Sequence, residues 1–207
     1  MIANLGRLII VLGLVLSAKP ALAHHVMGGQ MPLTFMDGLL SGIGHPIIGV
    51  DHLAAVIAVG VLAATQSRGE WLGLGYVIAM MVGAAAHIGE ATVKGSEIFV
   101  AVSVIALGLV LVRRAQLRMD IAVALFAFAG LVHGYALGES IAGAQRAPLL
   151  AYFIGLALIQ SAIVLAALFG ARVLATHKVA ASITRVLGAC IAGIGLAVLA
   201  QQLFFAA

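Results

Sequence analysis

Apolar runs of bilayer length recur from one end of this 207-residue chain to the other. In hydrocarbon every backbone N–H and C=O must find its partner within the segment, so such runs become helices, at about 20 residues per crossing. The chain has room for six or seven crossings and short loops, and none for a soluble domain beside them. Its charge content, 9% against 64% apolar residues, is far below the roughly 25% of a soluble domain. Mean hydropathy is +1.22. A soluble enzyme, a nucleic-acid-binding domain and a disordered tail are thereby excluded; the partner the composition requires is the lipid bilayer. The expected fold class is an all-α integral membrane protein, with six transmembrane helices after a cleaved signal peptide.

The signal reading rests on Arg7, the short apolar core Leu8 to Leu16, and the small-residue step Ala21-Leu22-Ala23, a pattern of n-region, h-region and cleavage site. An uncleaved anchor is the alternative. Residues 1–23 are thus expected to be the signal peptide and 24–207 a single six-helix domain. The spans are expected at about 33–64, 71–92, 97–112, 120–141, 148–171 and 184–205. The first is too long for one straight helix, and Gly42, Gly44 and Pro46 fall within it. Proline lacks a donor and disfavours helix at the residue before it, so a bend is expected at His45-Pro46.

Charge orients the bundle. With the mature N-terminus outside, the inner loops hold Arg68, Arg113, Arg114, Arg118, Arg172, Lys178 and Arg185, and the outer loops only Lys94 and Arg146. Seven against two follows the positive-inside rule. The expectation is a multi-pass protein of a bacterial inner membrane with a periplasmic N-terminus; an odd number of spans would need one segment to be misread. Trp71 sits at a loop-to-span border as an interfacial anchor. The single cysteine, Cys190, excludes an intramolecular disulfide and reads as a small packing residue.

Charges inside a bilayer mark functional sites by default, because each costs several kcal/mol. No Lys or Arg falls well inside the expected spans. Asp51, Glu90 and Glu139 do, and so do His45, His52, His87 and His133. An interior that holds carboxylates and imidazoles but no cation of its own invites a cation from outside.

Three clusters carry these groups. In His45-Pro-Ile-Ile-Gly-Val-Asp51-His52 the two histidines, seven apart, would lie about 20° apart in azimuth and about 10 Å apart along a helix. Asp51 would bind the cation or orient an imidazole; a helix-start motif is the alternative. In His87-Ile-Gly-Glu90 a spacing of three places both side chains on one helical face, as it would for a polar pair joining two helices. In His133-Gly-Tyr-Ala-Leu-Gly-Glu139 the spacing of six is about 120° off one face, so the two groups serve different roles or the glycines distort the helix. Gly130, Gly134 and Gly138 form a stripe that lets a neighbouring helix approach. Leu137 cannot ligate, so Leu137→Ala is expected to be mild. Outside the spans His24 and His25, with Met27 and Met31, are candidate metal ligands or a chance grouping. His177 reads as solvated.

The run His45-Pro-x-x-Gly-x-Asp-His52 resembles the signature of the HupE/UreJ family of bacterial nickel permeases, and His133-Gly-Tyr-Ala-Leu-Gly-Glu139 resembles that family's second motif. The chain departs from many members at Val132 and Leu137, where they carry Phe and an aromatic or His. The resemblance implies that His45, Asp51, His52, Glu90, His133 and Glu139 are required for transport. It also implies a functional link to hydrogenase, urease or cobalamin metal supply. The expectation is therefore a secondary permease, not an enzyme, with no resident cofactor. Its substrate would be a divalent cation, Ni²⁺ first and Co²⁺ second, and the bundle admits a homo-oligomer. Spacing alone supports a transition metal; N/O donor sets suit nickel, cobalt, zinc and copper(II) alike. Nothing resembles a nucleotide-binding loop. A haem-binding membrane electron carrier and a non-transporting partner in metalloenzyme assembly are the competing readings.

Overall fold

The structure, a computed structural model, describes residues 31–204. The signal-peptide reading of 1–23 and the ligand reading of His24 and His25 lie outside the described residues. Seven helices follow in order: α1 Phe35–Ile48, α2 Val50–Ala63, α3 Gly69–Ile88, α4 Ser96–Arg113, α5 Met119–Glu139, α6 Arg146–Leu174 and α7 Ala180–Phe204. Five are long and apolar enough to cross a membrane, and the bent pair α1–α2 makes a sixth crossing. The expected fold class is what the chain forms. α6, with 29 residues, is about 44 Å long and must tilt to fit a hydrocarbon layer of about 30 Å.

The first crossing bends by 79°, and the bend lies three residues beyond Pro46. Proline removes one intrahelical donor, but its fixed φ is compatible with helix, so α1 runs on to Ile48. Gly49 then takes φ −72° and ψ 100°. Its N–H donates to the His45 carbonyl at 3.0 Å, and its own carbonyl accepts the Leu53 N–H at 2.9 Å. One residue therefore closes α1 and opens α2. A Cβ here would stand 2.8 Å from His52 Cδ2, so the break is sterically reserved for glycine. At the other end of α1, Thr34 and Asp37 form a reciprocal capping box, which gives Asp37 a structural role.

Three helix pairs surround α2. α1 packs along α6, α3 along α5 and α4 along α7, while α2 touches α1, α3, α4, α5, α6 and α7. Small residues make each pair tight. A Cβ on Gly134 would collide with the Met80 carbonyl, and one on Gly83 with that of Leu131; Gly108 and Gly188 meet each other's backbones in the same way between α4 and α7. The stripe Gly130, Gly134 and Gly138 is thus a packing surface for α3, and α5 remains regular through it. In lipid, where apolar burial drives little association, this close backbone approach supplies the dispersion that holds helices together.

α2 is the core, with Ala55, Val56, Ala58, Val59 and Ala63 all at 0% exposure. Large apolar side chains such as Ile78, Leu150 and Val186 point outward on the surrounding helices, the inversion expected of a lipid-contacting bundle. Cys190 is also exposed, on the outer face of α7; it is not a packing residue. Leu137, by contrast, is fully buried. Because consecutive crossings reverse, the seven basic residues from Arg68 to Arg185 collect at one end of the bundle. Lys94 and Arg146 lie at the other. At the basic end Arg172 of α6 pairs with Glu70 of α3, and Arg118 with Asp120 at 2.9 Å.

Candidate functional site

The break at Gly49 places Asp51 and His52 in the first turn of α2, partway through the bundle rather than at its surface. Asp51 is 7% exposed and His52 3%. The Asp51 Oδ1 accepts the His52 backbone N–H at 2.9 Å, and a carboxylate is favoured at a helix N-terminus by the unpaired N–H groups there. α1 contributes the opposite pole, a C-terminal turn whose carbonyls point toward the same break. Half-helix ends of this kind create sites for ions inside membranes.

His133, on α5, reaches across to α2. Its Nδ1 stands 2.7 Å from the Nδ1 of His52, with the two rings nearly perpendicular and their centroids 4.9 Å apart. The Ser103 hydroxyl of α4 lies 2.9 Å from His133 Nε2 and donates to the Val100 carbonyl at 2.8 Å. These contacts are satisfied together by one tautomer arrangement. With the single hydroxyl proton of Ser103 on the Val100 carbonyl, its oxygen accepts from His133 Nε2–H. His133 Nδ1 is then an acceptor, His52 Nδ1–H donates to it, and the His52 lone pair is left on Nε2. The Cδ2 edge beside that nitrogen lies against Gly49, at the helix break. The Asp51 carboxylate is within electrostatic reach of both rings.

His45 is buried at 3% exposure one turn before the break, on α1. The other candidates separate from this centre. α3 ends at Ile88, with Gly89 as its cap and Glu90 in the left-handed region at φ 64°. The expected one-face pairing of His87 with Glu90 therefore does not form, because the helix stops between them. His87 is half-buried against the Tyr135 ring, with centroids 4.6 Å apart, and its Cβ neighbours Gly138. Tyr135 donates to the Ala91 carbonyl and accepts the Val93 N–H, pinning the loop that carries Glu90. Glu139 closes α5 and is exposed like Glu90. His87, Glu90 and Glu139 thus line the end of the bundle that carries Lys94 and Arg146, opposite the seven clustered basic residues. Among the described residues no three His, Cys, Asp or Glu converge as a ready metal cage.

Sequence reasoning missed Ser103, Tyr76 and Gln160, three buried polar residues on α4, α3 and α6. A serine, a tyrosine or a glutamine in an apolar helix is an ordinary sight. Only the folded register brings Ser103 against His133 and buries Tyr76 and Gln160 in the interior.

With this geometry in place, comparison with known proteins is specific. The family model described as HupE / UreJ protein matches residues 12–198. A curated relative, Protein HupE of Rhizobium leguminosarum bv. viciae, is 30% identical over 123 residues, 58% of this chain and 62% of the relative's length. The match therefore spans less than two thirds of that relative. No solved structure matches. The two motifs that carry the resemblance, around His45–His52 and His133–Glu139, lie within the matched stretch, and the chain belongs to the HupE/UreJ family.

Proposed function

We propose that this protein is a secondary permease that passes a divalent transition-metal cation across a bacterial inner membrane. On this reading nickel is the favoured substrate and cobalt the second. The observation that carries it is the His52–His133 pair, with Asp51 beside it, inside a bundle in which no Lys or Arg is buried among the described residues. Two imidazoles and a carboxylate attract a borderline cation and make poor company for an anion or an apolar solute. The choice of nickel comes from family membership rather than from the donor set.

The geometry supports a series of partial sites. His87, Glu90 and Glu139 form a polar mouth where a hydrated cation exchanges its first waters. The cation then meets the lone pair of His52 Nε2, the Asp51 carboxylate and the carbonyl end of α1. Conduction needs sites that bind and also release, so donors spread along a path serve transport better than one closed cage. By the positive-inside rule the mouth faces the periplasm and the arginine-bearing end the cytoplasm. The direction is then uptake, which fits supply of metal to a hydrogenase, urease or cobalamin pathway.

The haem reading is disfavoured by the same pair. With Nδ1 atoms 2.7 Å apart, the rings touch each other and leave no room for a macrocycle between them. The test is uptake of nickel, cobalt, zinc and copper by proteoliposomes, side by side, for the wild type, Asp51→Asn and His52→Ala. Nickel flux that both substitutions abolish while the proteins stay folded is the expected result. Absence of metal flux in the wild type, or a strong Soret band from the purified protein, would sink the reading.

A further inference from the structure

Below the histidine pair, toward the arginine-bearing end, three buried polar atoms have no hydrogen-bond partner: Tyr76 Oη, and both Nε2 and Oε1 of Gln160. Tyr76 and Gln160 are each at 0% exposure. Leaving one such atom unmet is costly in a protein interior, and there is no bulk water in a bilayer to relieve it.

Helix register places the two side chains in one layer. A Cβ on Gly60 of α2 would meet the Val164 backbone of α6, and one on Gly73 of α3 would meet the Val164 side chain. Val164 therefore faces both α2 and α3, and Gln160, one turn earlier on α6, shares that face. α2 runs parallel to α6, so one turn back from Gly60 brings Val56 opposite Gln160, and one further turn brings His52. α3 runs antiparallel, so one turn on from Gly73 brings Tyr76 and Val77 to the same level. Asp51 is within electrostatic reach of the Tyr76 hydroxyl. The Tyr76–Gln160 layer therefore lies about one helical turn, roughly 5 Å, from His52. Beyond it the seam of Gly60 leads toward a cavity of about 340 Å³ at the arginine-bearing end, lined by residues including Val61, Leu62, Thr65, Arg114 and Thr184.

We propose that Tyr76 and Gln160 form the release station of the pathway. On this assignment the phenol oxygen, the amide oxygen and the amide N–H₂ receive a partly hydrated divalent cation from His52 and pass it toward the cavity. The inference rests on the permease reading. Neutral oxygen donors hold a borderline cation more weakly than imidazole and carboxylate do, which suits the step after the tightest site. The amide N–H₂ donates to a water that the cation carries. Val56, set opposite Gln160 by the register, is at 0% exposure.

The experiment is proteoliposome nickel uptake together with nickel binding by calorimetry on the same detergent-purified full chain, for Gln160→Leu and Tyr76→Phe. The expected result is a fall in maximal uptake of about tenfold or more in each. Nickel affinity should stay within about twofold of wild type, because capture at His52 and Asp51 is untouched. Melting temperature should be unchanged or higher, because each change deletes unmet polar atoms. Wild-type uptake in both variants with a raised melting temperature would show orphans of no consequence and overturn the proposal. So would a loss of uptake matched by an equal loss of nickel affinity. If Gln160→Leu fails to fold, Tyr76→Phe, which removes one oxygen, decides alone. Wild-type vesicles without nickel flux would instead overturn the permease reading, so the two failures are distinguishable.

Discussion

Ser103 shows how much of this site depends on a proton. With its hydroxyl proton on the Val100 carbonyl, His133 is the Nε2–H tautomer and the His52 lone pair lies on Nε2, beside the break. Without that acceptor, His133 is free to carry its proton on Nδ1, and His52 Nδ1 must then accept. The His52 proton moves to Nε2 and blocks the position that the permease reading gives to the metal. Leaving a buried donor unmet costs about 1–3 kcal/mol, and each 1.4 kcal/mol is about tenfold in an equilibrium constant. Ser103→Ala is therefore expected to weaken nickel binding by about tenfold or more, read by calorimetry, whereas Ser103→Thr, which keeps the hydroxyl, stays near wild type. Equal affinity in Ser103→Ala would remove Ser103 from the site and with it the tautomer assignment. The sequence could not show this residue's role, since nothing about a serine at this position in α4 distinguishes it from the many that merely return a hydrogen bond to their own helix.

At the scale of the element, the most instructive helix is α5. Its six-residue spacing between His133 and Glu139 reads from sequence as two groups that cannot share a face, and the regular helix keeps them apart: one fully buried, one exposed at the end. The glycine stripe between them is also legible, because a four-residue repeat has one steric meaning in a membrane helix. The pairing of His87 with Glu90 fails for a local reason. Gly89 ends α3, and a glycine at that position is itself a stop signal. The bend is displaced from Pro46 to Gly49 because proline's fixed φ is compatible with helix, while Gly49 is where a Cβ would press on the His52 ring. Leu137 overturns the expectation of tolerance. It is at 0% exposure, and its carbonyl accepts from both Tyr152 and Ser140, so it packs α5 into the core rather than facing a pathway. Truncating a buried leucine costs about 2–5 kcal/mol; the low end applies where lipid rather than water solvates the separated helices. Leu137→Ala is expected to lower the melting temperature in detergent clearly, and to reduce uptake only in proportion to folded protein. An unchanged melting temperature would show that the α5 interface repacks without it.

At the scale of the whole molecule, the permease reading gives the basic residues the task of orientation and the buried polar ones that of the pathway, and no residue serves both. The crossings were legible from hydropathy alone because lipid leaves a polar backbone no alternative to helix. The convergence on α2 was not, since it depends on which of several similar apolar faces meet. Orientation is the property that joins the two sets, because on the permease reading the mouth of His87, Glu90 and Glu139 would collect metal for uptake only if it faces outward. Two sites test it in a Cys190→Ser background. Gln145 is exposed just before α6, at the mouth end, and Thr176 is exposed just after it, at the arginine-bearing end. A membrane-impermeant maleimide added to spheroplasts is expected to label Gln145→Cys, and to label Thr176→Cys only after the membrane is opened. Wild-type chain should stay unlabelled throughout, because Cys190 lies midway along α7 on its outer face, where lipid excludes a charged reagent. The reverse pattern would place the arginines outside, against the charge rule. The histidine mouth would then open to the cytoplasm, and the direction of transport would have to be export.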